Sequence, residues 1–166
     1  MLHLLEWEYS GLGPFRPDDA RLWAFLEGRG TWSSTEERLL WRMAEAAKAG
    51  AERDAVWVRA EQAVKKVPGR AATTGWVMNR TQAAERSMPL LELACADRSD
   101  EERRKTACGT LFDSCLATNR WQRAEALWPQ RLERLTVTER PDWLAQVAIA
   151  AARARAFDDA LRLWVM

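Results

Sequence analysis

The chain has only one histidine, His3, close to its start. That scarcity all but removes nucleophile–histidine chemistry and histidine-based metal sites. Cysteine is also sparse. Cys95, Cys108 and Cys115 make an odd count with no Cys-x-x-Cys pair, which argues against a disulfide framework and for a reducing surrounding. They read as small buried hydrophobes, and Cys108 and Cys115 share one helix face by their spacing. No apolar run reaches the ~20 residues of a membrane-spanning helix. The opening Met1-Leu2-His3-Leu4-Leu5-Glu6-Trp7-Glu8 is acidic and lacks a basic n-region, so it is not read as a targeting peptide. A phosphate-binding loop is missing, and Gly11-Leu12-Gly13 is too short for a dinucleotide fingerprint. Excess charge is missing too: the formal net charge is +1. Residues 1–83 hold 12 basic and 11 acidic side chains, and residues 84–166 hold 13 of each. Such balance argues against phosphate binding by the whole surface and leaves only a local basic stripe.

Tryptophan, by contrast, is abundant. Ten Trp stand against one Tyr and four Phe, so wide rings that each seek an acceptor for one N–H are spread along the chain. Strand-like alternation of Val, Ile and Thr is nearly absent, while Ala, Leu, Arg and Glu dominate and favour helix. The punctuation agrees. Gly11 to Pro14 closes a short opening segment, Pro17 or Asp18 starts a helix carrying Leu22, Trp23 and Leu26, and Gly28 and Gly30 end it. Ser33 and Ser34 with Glu36 and Glu37 form overlapping capping boxes before a helix that Gly50 stops. Ala51 to Lys66 is helical, and Val67-Pro68-Gly69 is a turn. Residues 71–98 are irregular, because Gly75 weakens a helix and Pro89 starts or kinks one. Ser99 with Glu102 is a third capping box, opening a helix to about Thr118. Helices at Trp121–Trp128, from Pro141 to about Arg155, and at Phe157–Trp164 complete an all-α reading with no linker.

Two stretches echo each other 36 residues apart. Trp121, Ala124 and Trp128 return as Phe157, Ala160 and Trp164, and Cys108, Leu111, Phe112 and Cys115 map onto Leu144, Val147, Ala148 and Ala151. The second set lies at i, i+3, i+4 and i+7, one helix face. A period of this length marks stacked helical hairpins. Residues 79–89 match 119–129 at six of eleven positions, at an offset of 40, and read as an older copy.

Residues 108–166 resemble the tetratricopeptide/pentatricopeptide superfamily of helix–turn–helix repeats. The likeness lies in Thr110-Leu111-Phe112, in Asn119-Arg120-Trp121-Gln122-Arg123-Ala124, in Pro141-Asp142 between units, and in Ala148 with Phe157-Asp158-Asp159-Ala160. The resemblance implies antiparallel helical hairpins stacked as a short α-solenoid. One domain, 1–166, is expected, with a degenerate helical part at 1–98 and two hairpins at 99–166. In pentatricopeptide proteins two polar positions per unit read an RNA base. They fall here on Gly109 with Asp142, and on Ala145 in the next unit. Gly and Ala cannot make those hydrogen bonds.

The paired acids Asp18-Asp19, Glu36-Glu37, Glu101-Glu102 and Asp158-Asp159 fall at predicted helix starts, where they favour the helix dipole rather than acid–base catalysis. Basic clusters at Lys65-Lys66, Arg103-Arg104-Lys105 and Arg153 with Arg155 read as solvated faces or, alternatively, a phosphate track. The expected function is a non-catalytic, tryptophan-rich scaffold or adaptor that binds a protein or peptide, with no cofactor and no metal. The alternative is a pentatricopeptide-like segment binding single-stranded RNA, of the kind an organellar protein carries. Candidate contact residues are Arg103, Arg104, Gly109, Asp142, Ala145, Arg153, Arg155 and Trp164. The last ridge, at Trp164, is expected to meet further repeats or a partner subunit. A reducing cytoplasmic or organellar location away from the membrane is expected.

Overall fold

The computed structural model describes residues 16–81, 83–132 and 135–165. His3 and the Gly11–Pro14 segment lie outside the described residues. The described chain is all-helical, without a strand. Its α-helices are α1 (Ala20–Glu27), α2 (Ser34–Ala46), α3 (Ala51–Lys66), α4 (Ala71–Arg80), α5 (Ala84–Ala96), α6 (Glu101–Ala117), α7 (Trp121–Ala126), α8 (Trp128–Leu132), α9 (Arg140–Arg153) and α10 (Phe157–Trp164). A 3-10 turn, Pro68–Arg70, joins α3 to α4. No described helix is long and apolar enough to cross a membrane.

Local chemistry sets the helix starts. Asp19 caps α1, its side chain accepting from the Arg21 N–H at 2.8 Å. The Ser33–Glu36 box is formed, with the Ser33 N–H donating to Glu36 Oε2 at 2.8 Å. The third box shifts by one residue: Asp100, not Ser99, caps α6 and accepts from the Arg103 N–H at 3.0 Å. An aspartate carboxylate serves that cap as well as a serine hydroxyl does.

Two hydrophobic cores follow one another. The first gathers Leu22, Trp23, Leu26, Trp32, Leu40, Met43, Trp57 and Met78. Two of its rings satisfy their N–H groups on nearby carbonyls: Trp23 Nε1 donates to Pro17 O at 2.9 Å and Trp32 Nε1 to Leu26 O at 2.8 Å. Arg70, 2% exposed, is driven into this core. Its guanidinium donates to Gly30 O at 3.0 Å, Ala63 O at 3.0 Å and Glu27 O at 2.9 Å, and also to Arg29 O. Burial pulls its pKa below the ordinary arginine value, with Glu27 opposing. One side chain thereby ties the end of α1 and its following loop to the last turns of α3.

The second core joins Leu91, Leu111, Phe112, Cys115, Trp121, Ala124, Val147, Ala148 and Ala151. Residues 71–98, irregular by sequence, are two regular helices. Gly75 fits α4 because α5 crosses it: a Cβ there would lie 2.8 Å from Leu91 Cγ and Cδ2. The gap left by the missing side chain is filled by the neighbouring helix, which outweighs glycine's poor helix propensity. Pro89 lies inside α5 on an exposed position.

The sequence echo has a counterpart in the turns. Asn119 (φ 57°) and Arg155 (φ 62°) both adopt the left-handed conformation. Behind them the Arg120 N–H donates to Cys115 O at 2.8 Å, and the Ala156 N–H to Ala151 O at 3.0 Å, the helix-ending bond of a Schellman turn. The Ala83 N–H closes the same ring on Met78 O at 2.9 Å. That places the upstream turn 37 residues back rather than 40. Asn79 lies within α4, where its Oδ1 accepts from the Ser114 hydroxyl at 2.9 Å. Ion pairs tie successive helices of one layer: Arg59 of α3 with Glu27 of α1 at 2.9 Å, Arg86 of α5 with Glu61 of α3 at 2.6 Å, Arg123 of α7 with Glu92 of α5 at 3.0 Å, and Arg162 of α10 with Glu125 of α7 at 2.8 Å. On the other side α2, α4, α6 and α9 contact one another in that order.

The cysteines correct the sequence reading. Cys95, at the end of α5, and Cys108, in α6, form a disulfide with Cα atoms 4.9 Å apart. Packing of α5 along α6 brings together two residues that spacing alone does not pair. Cysteine usage therefore no longer points to a reducing surrounding. Cys115 stays a buried free thiol, its pKa raised to about 11 by burial.

Candidate functional site

Two grooves flank α6. The first, about 350 Å³, runs between α2, α4 and α6 and is lined by Trp32, Glu37, Thr73, Trp76, Thr106 and Thr110 among others. Trp32 forms its closed end: the ring is 1% exposed, and the Thr73 hydroxyl donates to Trp32 O at 3.0 Å. Trp76 is half-buried, with the Arg80 guanidinium 5.0 Å from its ring centre. Burial raises the pKa of Glu37 above the ordinary glutamate value, against the attraction of Arg80 and Arg38. This groove is therefore an apolar trough with a poorly solvated carboxyl at its rim.

The second groove, about 470 Å³, lies between α6 and α9 and is lined by Asp113, Leu116, Trp143, Ile149, Ala150 and Arg153 among others. Beneath it the Arg131 guanidinium sits 4.2 Å from the Trp143 ring centre and 5.6 Å from that of Phe112. Arg131 also pairs with Asp113 at 3.5 Å. Burial raises the Asp113 pKa, Arg131 opposing, and the buried Oδ1 has no hydrogen-bond donor among the described residues. Trp128 and Trp143 pack on Phe112 at 6.0 and 5.8 Å between ring centres. Cation–π contact of this kind holds the aromatic wall in place.

No protein-family model, curated protein or solved structure matches the chain. What the grooves can do therefore follows from their own residues. Among the described residues no three His, Cys, Asp or Glu side chains gather as a metal site would require.

The residues singled out by sequence scatter across these surfaces. Arg103 borders the first groove, half-buried and paired with Asp100 at 3.2 Å. Arg104 makes a forked pair with Glu101 at 2.9 and 2.8 Å, and Lys105 approaches the same carboxylate at 3.5 Å. The Arg104 hydrogen bond, ahead of the surrounding charges, lowers the Glu101 pKa to about 2. The acids at the start of α6 thus pair with this basic cluster. Gly109 is buried within α6, Asp142 is exposed in the first turn of α9, and Ala145 is half-buried. Arg153 stands at the second groove, and Arg155 is exposed in the left-handed turn after α9. Trp164 is 64% exposed on α10, apart from both grooves. Trp76, Asp113, Trp143 and Ile149 were not singled out. Thr106, Thr110, Asp113 and Ala117 recur at three- and four-residue steps along α6, and that spacing is the signal in the sequence that traces the shared face.

Proposed function

We propose that the chain is a non-catalytic interaction module, a short α-solenoid of tetratricopeptide/pentatricopeptide-like hairpins that holds a protein or peptide segment along α6. The single observation that carries this reading is the pair of apolar, tryptophan-lined grooves on either side of that helix. A trough with an aromatic floor and a few rim charges suits an extended or helical polypeptide, whose apolar side chains give affinity and whose charges give register. The recurring turns at Asn119 and Arg155 support the hairpin description. The reading assigns the chain no reaction and no cofactor.

The RNA alternative has less behind it. Arg103, Arg104 and Lys105 are neutralised by neighbouring acids, and Gly109 is buried. Affinity capture with the intact chain, repeated with Thr110→Arg and Thr106→Glu, tests the proposal. A polypeptide retained by the parent chain and lost by both variants is the expected result. Equal retention by all three chains overturns it. Retention of single-stranded RNA alone, weakening steeply with salt, would replace it with the RNA reading.

A further inference from the structure

Among the described residues nothing covers one face of α10. Phe157 is 66% exposed, Leu161 66%, Trp164 64% and Val165 75%. The first three fall at i, i+4 and i+7, so they form one ridge rising about 10 Å along the helix. Isolated exposed apolar residues are commonplace, but a contiguous ridge of large ones marks an interaction surface. In the other hairpin Trp128, at the position equivalent to Trp164, is half-buried against Phe112.

The chain also carries an apolar groove long enough to receive it. The groove between α6 and α9 is floored by Leu116, Trp143, Ile149 and Ala150, and Ile149 is 44% exposed. From Trp143 to Arg153 it extends about 15 Å along α9, long enough for the ridge. The signs match as well. Arg153 stands at the groove's end, and Asp158 begins the ridge helix; both are exposed, and neither has an ion-pair partner among the described residues. Ridge and groove both lie uncovered among the described residues, and a second copy offers each of them its complement.

We propose that the α10 ridge of one copy seats in the α6/α9 groove of another, with Asp158 beside the second copy's Arg153. This names a partner for the second groove and deepens the interaction-module reading on which it rests. The contact is head-to-tail, because each copy keeps one unused ridge and one unused groove, and association can continue beyond a pair. Burying three large apolar side chains excludes water from the Asp158–Arg153 pair, which fixes register more than it adds affinity.

Sedimentation of the intact chain from low-micromolar to submillimolar concentration tests the contact. Wild type is expected to self-associate with rising concentration. Leu161→Glu on the ridge and Ile149→Glu in the groove each weaken association about tenfold or more. Both positions are exposed, so unchanged helical circular dichroism will show that the variants fold. The deciding sample is their equimolar mixture. The groove variant keeps its ridge and the ridge variant keeps its groove, so the mixture forms a pair that neither makes alone. Asp158→Arg and Arg153→Glu, each weakening association singly, should restore it when combined. A wild type that stays monomeric overturns the proposal. So does a mixture no more associated than its components, which would indicate a symmetric ridge-on-ridge contact. Capture by the first groove is scored on Thr106 and Thr110, away from these positions, so either result can fail without the other.

Discussion

Rings and one guanidinium close the core around Trp23, Trp32 and Trp57, whereas the core beyond α4 is richer in alanine. In the first, three tryptophans are at most 2% exposed and Arg70 fills the hydrogen-bonding needs of the loop after α1. In the second, Ala124, Ala148 and Ala151 let helices approach, and Phe112 is the large ring fully inside. The first core leaves Phe25 and Trp41 only half-exposed at its edge, while the second ends on the exposed ridge of α10. The contrast shows two ways of using tryptophan. A ring whose N–H finds a backbone carbonyl seals a core; a ring at a hairpin's outer edge is available to a partner.

Removing the pin is the strongest way to break this comparison. Arg70→Met keeps apolar bulk but takes this donor from the carbonyls of Glu27, Arg29 and Gly30, while Ala63 O keeps the Val67 N–H at 3.1 Å. Each buried unsatisfied group costs about 1–3 kcal/mol, so a loss of about 3 kcal/mol or more is expected in urea unfolding. Amide exchange should accelerate most in α1 and the loop after it. A variant within ~1 kcal/mol of wild type would mean that the first core is closed by its rings alone.

The second core has a covalent counterpart. The Cys95–Cys108 bond, spanning a sequence separation of 13, staples α5 to α6. Reduction, or Cys95→Ser with Cys108→Ala, should cost about 2–3 kcal/mol, as loops of this length do. Thiol titration under denaturing conditions gives one reactive thiol, Cys115, before reduction and three after it. Three thiols before reduction would show the bond unformed, and the comparison would then rest on packing alone.

Gly75 lies where the halves meet. Alanine normally improves a helix by about 1 kcal/mol over glycine. Here its Cβ would press on Leu91, including the backbone nitrogen at 3.3 Å. Gly75→Ala is expected to destabilise by about 1–3 kcal/mol, the cost of overpacking a filled core. Adding Leu91→Ala should recover part of that cost, a coupling readable in a double-mutant cycle. Purely additive losses would separate the glycine from the α4–α5 contact.

How much of this was legible in sequence depends on how local each signal is. The Ser33–Glu36 box, the turns at Asn119 and Arg155 and the inward faces of α6 and α9 are set by residues within seven positions, and periodicity finds them. Gly75 was misread because its reason lies on another helix. The same holds for Cys95 and Cys108, brought together by packing of α5 on α6, and for Arg70, whose acceptors Glu27, Arg29 and Gly30 lie about forty residues upstream. The offset of 40 followed shared letters, whereas the hydrogen bonds at Ala83 and Arg120 place the turns 37 apart. In the candidate site Arg103 and Arg153 were found as charges, but Trp76 and Trp143 are given their roles by the helices opposite them.

Acid provides the smallest and most discriminating comparison, because one carboxyl in each half responds with opposite sign. Burial disfavours the ionised Glu36, but the Ser33 hydroxyl and N–H outweigh it and hold the pKa below the ordinary value. Its contribution is present above the unfolded glutamate pKa and is lost as pH falls through the lower, folded value. Asp113 is the reverse. Burial raises its pKa against the pull of Arg131, so the folded state binds the proton more tightly. Its charge costs stability above the folded pKa, and that cost disappears as pH falls through the folded pKa toward the unfolded one. Glu36→Gln should therefore be less stable than wild type at neutral pH and lose less on acidification. Asp113→Asn should match or exceed wild type at neutral pH, and any advantage should vanish in acid. Urea midpoints at neutral and acidic pH give both slopes. If Asp113→Asn loses stability at neutral pH, the Arg131 ion pair outweighs desolvation, and the second groove is held by charge as firmly as the first core is held by its cap.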